Sequence, residues 1–341
     1  MKRIIYLAMC LTLTAVLSAC GQKAEPSIAE GSTEEAQVES EEIIEGNVEE
    51  EASEETASEE VVTISHEYGE TQVKINPEKI AVMDFGTLDI LDAVGIEVGA
   101  LAKGGTMPEY LSAYQSDAYV NGGTLKEADF EALNEYAPEL IIISARLSGS
   151  YEELSQIAPT LYVTMPGADY FNEIDQNVQI LKQIFPGKAD DLQKGYDEIK
   201  TKADALKADA QQTGFNSLTL LANDGAFSVY GVGSRYGMIN SDFGFLPADE
   251  NIEASTHGME ASYEYIAEKN PDVLFVIDRS AAIGTEGAAG AATLLDNDLV
   301  NSTEAAKEGR IVYLASDIWY LSSGGFTGTS QMIDEVRTAL E

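Results

Sequence analysis

The sequence predicts an α/β fold of two similar lobes joined by one long helix. Three observations carry this. First, EADFEALNEYAPELIIISAR (127–146) is echoed by EASYEYIAEKNPDVLFVIDR (260–279), at a constant offset of 133 residues without a gap. Second, each copy ends in an uninterrupted apolar run, as expected of a parallel strand covered on both faces by helices. Third, Leu192, Tyr196, Ile199, Ala203, Leu206 and Ala210 recur at alternating steps of four and three, which is one face of a helix. Some 25 residues at 1.5 Å each reach ~38 Å. Such a helix spans the backs of both lobes, and its stiffness predicts little closure.

Taken in chain order, the first element is a secretory signal. Lys2 and Arg3 precede an apolar stretch from Ile4 to Leu17, and LSAC follows, ending at Cys20. The stretch is short for a membrane span, which needs about 20 residues, and has the build of a cleaved signal over 1–19. The LSAC ending resembles the bacterial lipobox, in which Cys20 becomes the lipidated first residue. Cys10 leaves with the signal, so no disulfide framework and no cysteine metal site is expected. Residues 21–60 hold 15 Glu, one Lys, one Pro and no aromatic residue. Such a segment cannot bury enough apolar surface to fold. The stretch 20–60 therefore reads as a lipidated cysteine and a disordered tether.

The remainder divides into a first lobe over 61–170, a connecting helical segment over 171–213 and a second lobe over 214–341. In the first lobe, KIAVMDFGTLDILDAVGI reads as strand, turn and helix, and VGALAK and TLYV as further strands. In the second, SLTLLAN, AFSVYG, VLFVID and RIVYLA read as strands, and SQMIDEVRTAL as a terminal amphipathic helix.

The charge balance narrows the partners. The chain has 20 Lys+Arg against 59 Asp+Glu and a net charge of −39, which argues against nucleic acid. Five arginines follow the signal: Arg146, Arg235, Arg279, Arg310 and Arg337. Arg146 and Arg279 hold equivalent places in the repeat, each just beyond the carboxyl end of a buried strand. Ligands bind at that place in open α/β sheets. Taken singly, either arginine would serve as well to cap a strand or pair with an acid. Their duplication favours a shared site.

With these stretches, and ANDGAFSVYGVGSRYGMI, NIEASTHGMEASYEYIAEKNPDVLFVIDR and IWYLSSGG, the chain resembles the substrate-binding lipoproteins of bacterial iron–siderophore ABC importers. The resemblance covers most of residues 75–335 and is nearest to the branch that binds ferric catecholates and petrobactin-like catecholate–citrate siderophores. It implies the class III binding-protein fold, with two Rossmann-like lobes. It implies capture of a ferric siderophore in a shallow cleft lined by three arginines, here Arg146, Arg235 and Arg279, and delivery to an ABC permease. No catalytic residues and no cofactor are implied; the iron complex is the cargo. Lys103 resembles a cleft lysine of that branch. His257 and Tyr320 match positions that ligate iron when a siderophore leaves two coordination sites open. Trp319, Tyr236 and Phe85 are expected in the cleft wall. Glu131 and Glu264, matched in the repeat, resemble the surface glutamates that dock onto a dimeric permease, whereas Glu135 and Glu268 read as solvated carboxylates. The expected protein is a monomer, exported and lipid-anchored at the outer face of the cytoplasmic membrane.

A ferric tris-catecholate carries about three negative charges, and arginine offers a permanent charge, a planar fork of donors and a face that stacks on rings. Other cargoes compete with it: heme or another anionic chelate. A surface α/β hydrolase is a rival from another class, but the sequence has no GxSxG elbow and only two histidines, His66 and His257.

Overall fold

The computed structural model describes residues 60–285 and 287–341. The signal, Cys20 and the tether up to residue 59 lie outside the described residues. No helix among the described residues is long and apolar enough to cross a membrane.

Two sheets organise the molecule. The first is wholly parallel, in the order Val120–Asn121, Ala100–Leu101, Ile80–Val82, Leu140–Ile143, Thr160–Tyr162. Its central strands are fully buried, which explains why their sequences are continuous apolar runs. The second runs in the order Met259–Ala261, Ala226–Tyr230, Asn216–Asn223, Val273–Asp278, Ile311–Tyr313, with Leu246–Pro247 also paired to Asn216–Asn223. This sheet is mixed: Ala226–Tyr230 pairs antiparallel with both of its neighbours. The cause is the two-residue turn Asp224–Gly225, where φ is 50° and 83°. Two consecutive positive φ values make the tight hairpin that Asp-Gly favours. An antiparallel hairpin of Val61–His66 and Gly69–Lys74 precedes the first sheet.

The repeat is preserved down to its caps. Phe130–Tyr136 and Tyr263–Lys269 are helices offset by the same 133 residues. Asp129 caps the first by accepting from the Ala132 N–H, and Ser262 caps the second by accepting from the Tyr265 N–H. Each ends in a left-handed residue, Ala137 (φ 50°) and Asn270 (φ 43°), followed by the proline that stops the helix.

The connecting helix runs from Ala189 to Thr213, and Gly214 ends it at φ 68°. Leu192, Ile199, Ala203, Leu206 and Ala210 are buried along one face. The last long helix, Phe326–Arg337, packs on it and on the helix Phe85–Ala93 of the first lobe. Gly195 permits the approach: a Cβ there would lie 2.4 Å from the Phe326 ring. Lys202 of the connecting helix reaches Asp334 (2.6 Å) and the Ser330 hydroxyl (2.8 Å).

From the first lobe, the Asp89 carboxylate accepts from the N–H groups of Thr327 (3.1 Å) and Gly328 (2.8 Å), capping the last helix. Burial nonetheless pushes the Asp89 carboxyl above its usual range. The Tyr170 hydroxyl joins the same strut through Thr329 (2.9 Å) and the Gly324 N–H (3.1 Å). One continuous apolar core runs through both lobes, from Ile64 and Leu140 to Phe275 and Val336.

Candidate functional site: three arginines on one tyrosine

Each arginine is delivered by a short turn at the end of a strand. After Leu140–Ile143, the Ser144 hydroxyl donates to Asp84 (2.7 Å), and a 3-10 turn over Ala145–Ser150 carries Arg146. After Val273–Asp278, the Asp278 carboxylate caps a helical turn by accepting from Ala281 N–H (3.0 Å). Its second oxygen accepts from Ala291 N–H (2.8 Å), and Arg279 opens the turn. Arg235 sits in GVGSRYG, where Gly233 has φ 74° and the Ser234 hydroxyl donates back to the Gly231 carbonyl (2.5 Å).

All three converge on Tyr320, in the helix Ser316–Leu321. Its backbone carbonyl accepts from Arg146 Nη2 and from Arg235 Nη2, the latter at 2.7 Å. Its phenol oxygen accepts from Arg279 Nε at 2.9 Å. The guanidinium carbons of Arg235, Arg279 and Arg146 lie 4.5, 5.6 and 5.7 Å from the centre of its ring. Arg279 also donates to Asn223 Oδ1 (2.7 Å), and Arg146 contacts the Met165 sulfur (3.4 Å).

Among the described residues, none of the three makes an ion pair with a carboxylate, whereas Arg310 reaches Glu308 (3.8 Å) and Arg337 reaches Asp209 (2.5 Å). Three like charges thus share one ring in an otherwise acidic protein. At an effective dielectric of about 20, such charges repel by a few kcal/mol per close pair. The ring face returns about 0.5–2 kcal/mol per cation. The strain registers on Arg146, whose pKa is lowered by burial and by the charge of Arg235. On Tyr320, burial pushes the phenol up. The hydrogen bond from Arg279 and the charges of Arg279, Arg235 and Lys126 outweigh it, so the phenol lies below its ordinary value.

Arg146 and Tyr320 form one wall of a cavity of about 180 Å³, with Phe85, Leu125 and Lys126 from the first lobe and Ile283 from the second. Its rim brings Gly284 of one lobe against Thr106 of the other; a Cβ on Gly284 would stand 3.4 Å from the threonine hydroxyl. A larger groove of about 600 Å³ lies between the connecting and last helices, lined by Lys194, Glu198 and Lys202 among others, and holds none of the three arginines.

The other expected site residues fall in different places. Phe85 lines the cavity. Lys103 does not; its ammonium donates to the carbonyls of Ser116 (2.7 Å) and Tyr119 (2.9 Å), and Lys126 faces the cavity instead. Trp319, expected in the cleft wall, is at 0% exposure because its indole N–H turns inward to Glu335 (2.8 Å). Tyr236, at 1% exposure, lies beneath Arg235 with its ring centre 5.2 Å from the guanidinium, and its hydroxyl has no partner among the described residues. His257 is exposed; its carbonyl accepts from the Tyr230 hydroxyl (3.0 Å), and its imidazole makes no hydrogen bond among the described residues. Glu131 and Glu264 are exposed in the first turns of the two repeated helices. A hydrogen bond from its own backbone N–H, then one from Ser262, holds the Glu264 carboxyl below its usual range.

Sequence reasoning missed Lys126, Asn223 and Ile283. Lys126 immediately precedes the first repeat, and Asn223 ends SLTLLAN at the carboxyl edge of its strand, the position that had marked the arginines.

Two α/β lobes backed by one helix, with an unneutralised cationic cluster at the strand ends, define a solute-binding protein for an anionic ligand. The chain belongs to the periplasmic binding protein family, whose profile matches residues 80–318. It is 39% identical to the petrobactin-binding protein YclQ of Bacillus subtilis, over 100% of both chains. The crystal structure of YclQ aligns with a TM-score of 0.79 at 44% identity, covering 83% of this chain and 99% of that one. The catecholate-siderophore binding protein VctP of Vibrio cholerae aligns with a TM-score of 0.76 at 34% identity, covering 82% and 100%. The family consists of binding proteins rather than enzymes, and its architecture is that of the class III fold.

Proposed function

We infer that the protein captures a ferric catecholate or mixed catecholate–citrate siderophore at the Arg146–Arg235–Arg279 cluster and delivers it to an ABC permease. The observation that carries this is the trio of arginines without a carboxylate partner. A trianionic iron complex supplies the missing counter-charge. Nanomolar capture needs about −12 kcal/mol, and hydrogen bonds to charged groups contribute about 1.5–3 kcal/mol each. The names of the relatives, petrobactin-binding and catecholate-siderophore binding, point to the same cargo class. Lys126 adds a fourth cation, and Leu125 and Ile283 give apolar surface for a catechol ring. The cavity beside Arg146 is smaller than most ligand pockets, which run to about 300–1,000 Å³, so the chelate extends across it toward Arg235 and Arg279, which are not among its lining residues.

In this reading Cys20 anchors the protein by lipid at the outer face of the cytoplasmic membrane, the acidic tether gives it reach, and it works as a monomer. Glu131 and Glu264, set at the same place in both lobes, suit a two-fold permease dimer. If they dock it, the double variant Glu131→Lys, Glu264→Lys loses iron uptake while its siderophore affinity is unchanged; intact uptake contradicts the role.

The cargo class is tested by titrating the protein with a ferric catecholate, a ferric hydroxamate and hemin while following its fluorescence. Saturation by the catecholate at far lower concentration than the others is expected. Preference for hemin or for the hydroxamate overturns the assignment.

A further inference from the structure

The arginine of the first lobe stands on a turn that is held at both ends. At its start the Ser144 hydroxyl donates to Asp84 (2.7 Å). At its end comes Tyr151, which opens the helix Tyr151–Leu154 and is gripped by the opening hairpin. The Tyr68 ring, in the hairpin turn, stacks on the Tyr151 ring at 4.6 Å and 25°, and His66 meets its edge at 5.5 Å. Tyr162, from the edge strand Thr160–Tyr162, closes on Tyr68 at 5.1 Å.

The hydrogen positions follow from the partners. His66 Nδ1 accepts from the Tyr68 N–H (3.2 Å), so the ring carries its hydrogen on Nε2 and donates to Thr71 Oγ1 (2.8 Å). The buried Thr71 hydroxyl donates to the Thr160 carbonyl (3.1 Å), which leaves its oxygen to accept from the Tyr151 hydroxyl (3.2 Å) as well. One threonine thus ties the hairpin to the edge strand and to the residue that ends the arginine's turn.

We propose that this hairpin is a clamp, centred on Thr71 and Tyr68, that positions Arg146 for the anion by fixing Tyr151 at the far end of its turn. The proposal rests on the anion-binding reading above. The hairpin precedes residues 80–318, the stretch that the family profile matches, and none of its residues lines the cavity. Its hold on the site passes through the turn. There the Leu147 N–H donates to the Ser144 carbonyl (3.0 Å) and the Tyr151 N–H to the Ser148 carbonyl, so a shift at Tyr151 reaches Arg146 through bonded backbone. Arg146 needs such a hold. Burial and the charge of Arg235 both work against its guanidinium, and a loose turn lets it swing toward water, where a charge is better solvated.

Thr71→Val keeps the side-chain shape and removes the hydroxyl, and Thr71→Ser restores it. Tyr68→Ala removes the stacked ring at a position that is 41% exposed, so it carries the test if Thr71→Val does not fold. The probe is the ferric complex of a hexadentate tris-catecholate chelator, at one pH and salt, in the wild-type, Arg146→Gln and Arg279→Gln backgrounds. Thr71→Val and Tyr68→Ala are each expected to weaken binding about fivefold in the wild-type and Arg279→Gln backgrounds and hardly at all in Arg146→Gln, as residues acting through one another do. Thr71→Ser is expected to bind like the wild type. Equal weakening in all three backgrounds overturns the proposal, as does unchanged affinity in the wild-type background.

A second readout needs no cargo. In the unliganded protein Thr71→Val is expected to speed amide exchange at Leu147 and Tyr151 and to leave Thr327 and Gly328, on the last helix, unchanged. Unchanged exchange in the turn overturns the clamp whatever the cargo does. Faster exchange there, with no binding of the complex by the wild type, means that the siderophore reading fails while the clamp's hold on the turn stands.

Discussion

Arg146 shows how far the residues of the site were legible. The repeat and its place at a strand end marked it and Arg279 as partners. Tyr320 was visible only as a residue matching a family position. Nothing in IWYLSSGG reveals that its main-chain carbonyl takes two guanidinium groups, because that depends on where a chain 85 residues from Arg235 comes to rest. Trp319 and Tyr320 are neighbours in sequence, yet a helix turns them to different sides, one onto Glu335 and one onto the arginines. Of the two lysines Lys103 and Lys126, only Lys103 was singled out from the sequence as a cleft residue. The loop that ties Lys103 to Ser116 and Tyr119 decides between them. Stability and function are expected to trade against each other at Arg146. Arg146 is largely buried and has no ion-pair partner among the described residues; the charge of Asp84 offsets its burial only in part, since its pKa stays lowered. Arg146→Met should stabilise the unliganded protein by ~1 kcal/mol, read as a rise in melting temperature, while weakening cargo binding. A fall in both would mean that Arg146 is needed for folding.

The elements were read more surely than the residues. The strands that were read in both lobes, the connecting helix and the last helix are present, whereas the short strands Val120–Asn121, Leu246–Pro247 and Met259–Ala261 were not read. The repeated helices agree to the residue because their caps are encoded locally, by Asp129 and Ser262 at one end and by a left-handed residue before proline at the other. The antiparallel direction of Ala226–Tyr230 was not read, although Asp224–Gly225 signals it. The opening hairpin was missed because Val61–Lys74 alternates too weakly to stand out among polar residues. The caps yield a prediction. Ala137 holds a left-handed conformation that costs an L-residue with a Cβ about 1 kcal/mol. Ala137→Gly should therefore raise stability by up to ~1 kcal/mol in chemical denaturation, with binding unchanged. A loss of stability would show that the methyl group packs usefully.

For the whole molecule, the sequence suggested two lobes on a stiff rod. The structure adds a reason for closure to be resisted: the last helix is capped by Asp89 and held by Tyr170, both of the first lobe, and one of the two apolar cores extends through both lobes. Cargo binding is thus expected with little change in overall dimensions, measurable by solution scattering with and without ligand. A large compaction would contradict the strut. Asp89 also ties the strut to pH. Its carboxyl lies above its usual range, so the folded state binds the proton more tightly than the unfolded one. Its contribution to stability grows as pH falls from the raised folded value toward the unfolded value of 3.8. Asp89→Asn removes that slope, read by comparing melting curves across acidic pH. An identical slope in the variant would show that other carboxyls carry it.

Three arginines without carboxylate partners make the site. The affinities of the wild type and of Arg146→Gln, Arg235→Gln and Arg279→Gln for one ferric tris-catecholate, at fixed pH and salt, decide whether they do. Each substitution is expected to weaken binding by about tenfold or more, while the proteins remain folded. Affinities equal to the wild type in all three variants would mean that the arginines serve only the fold, and that the cargo binds elsewhere.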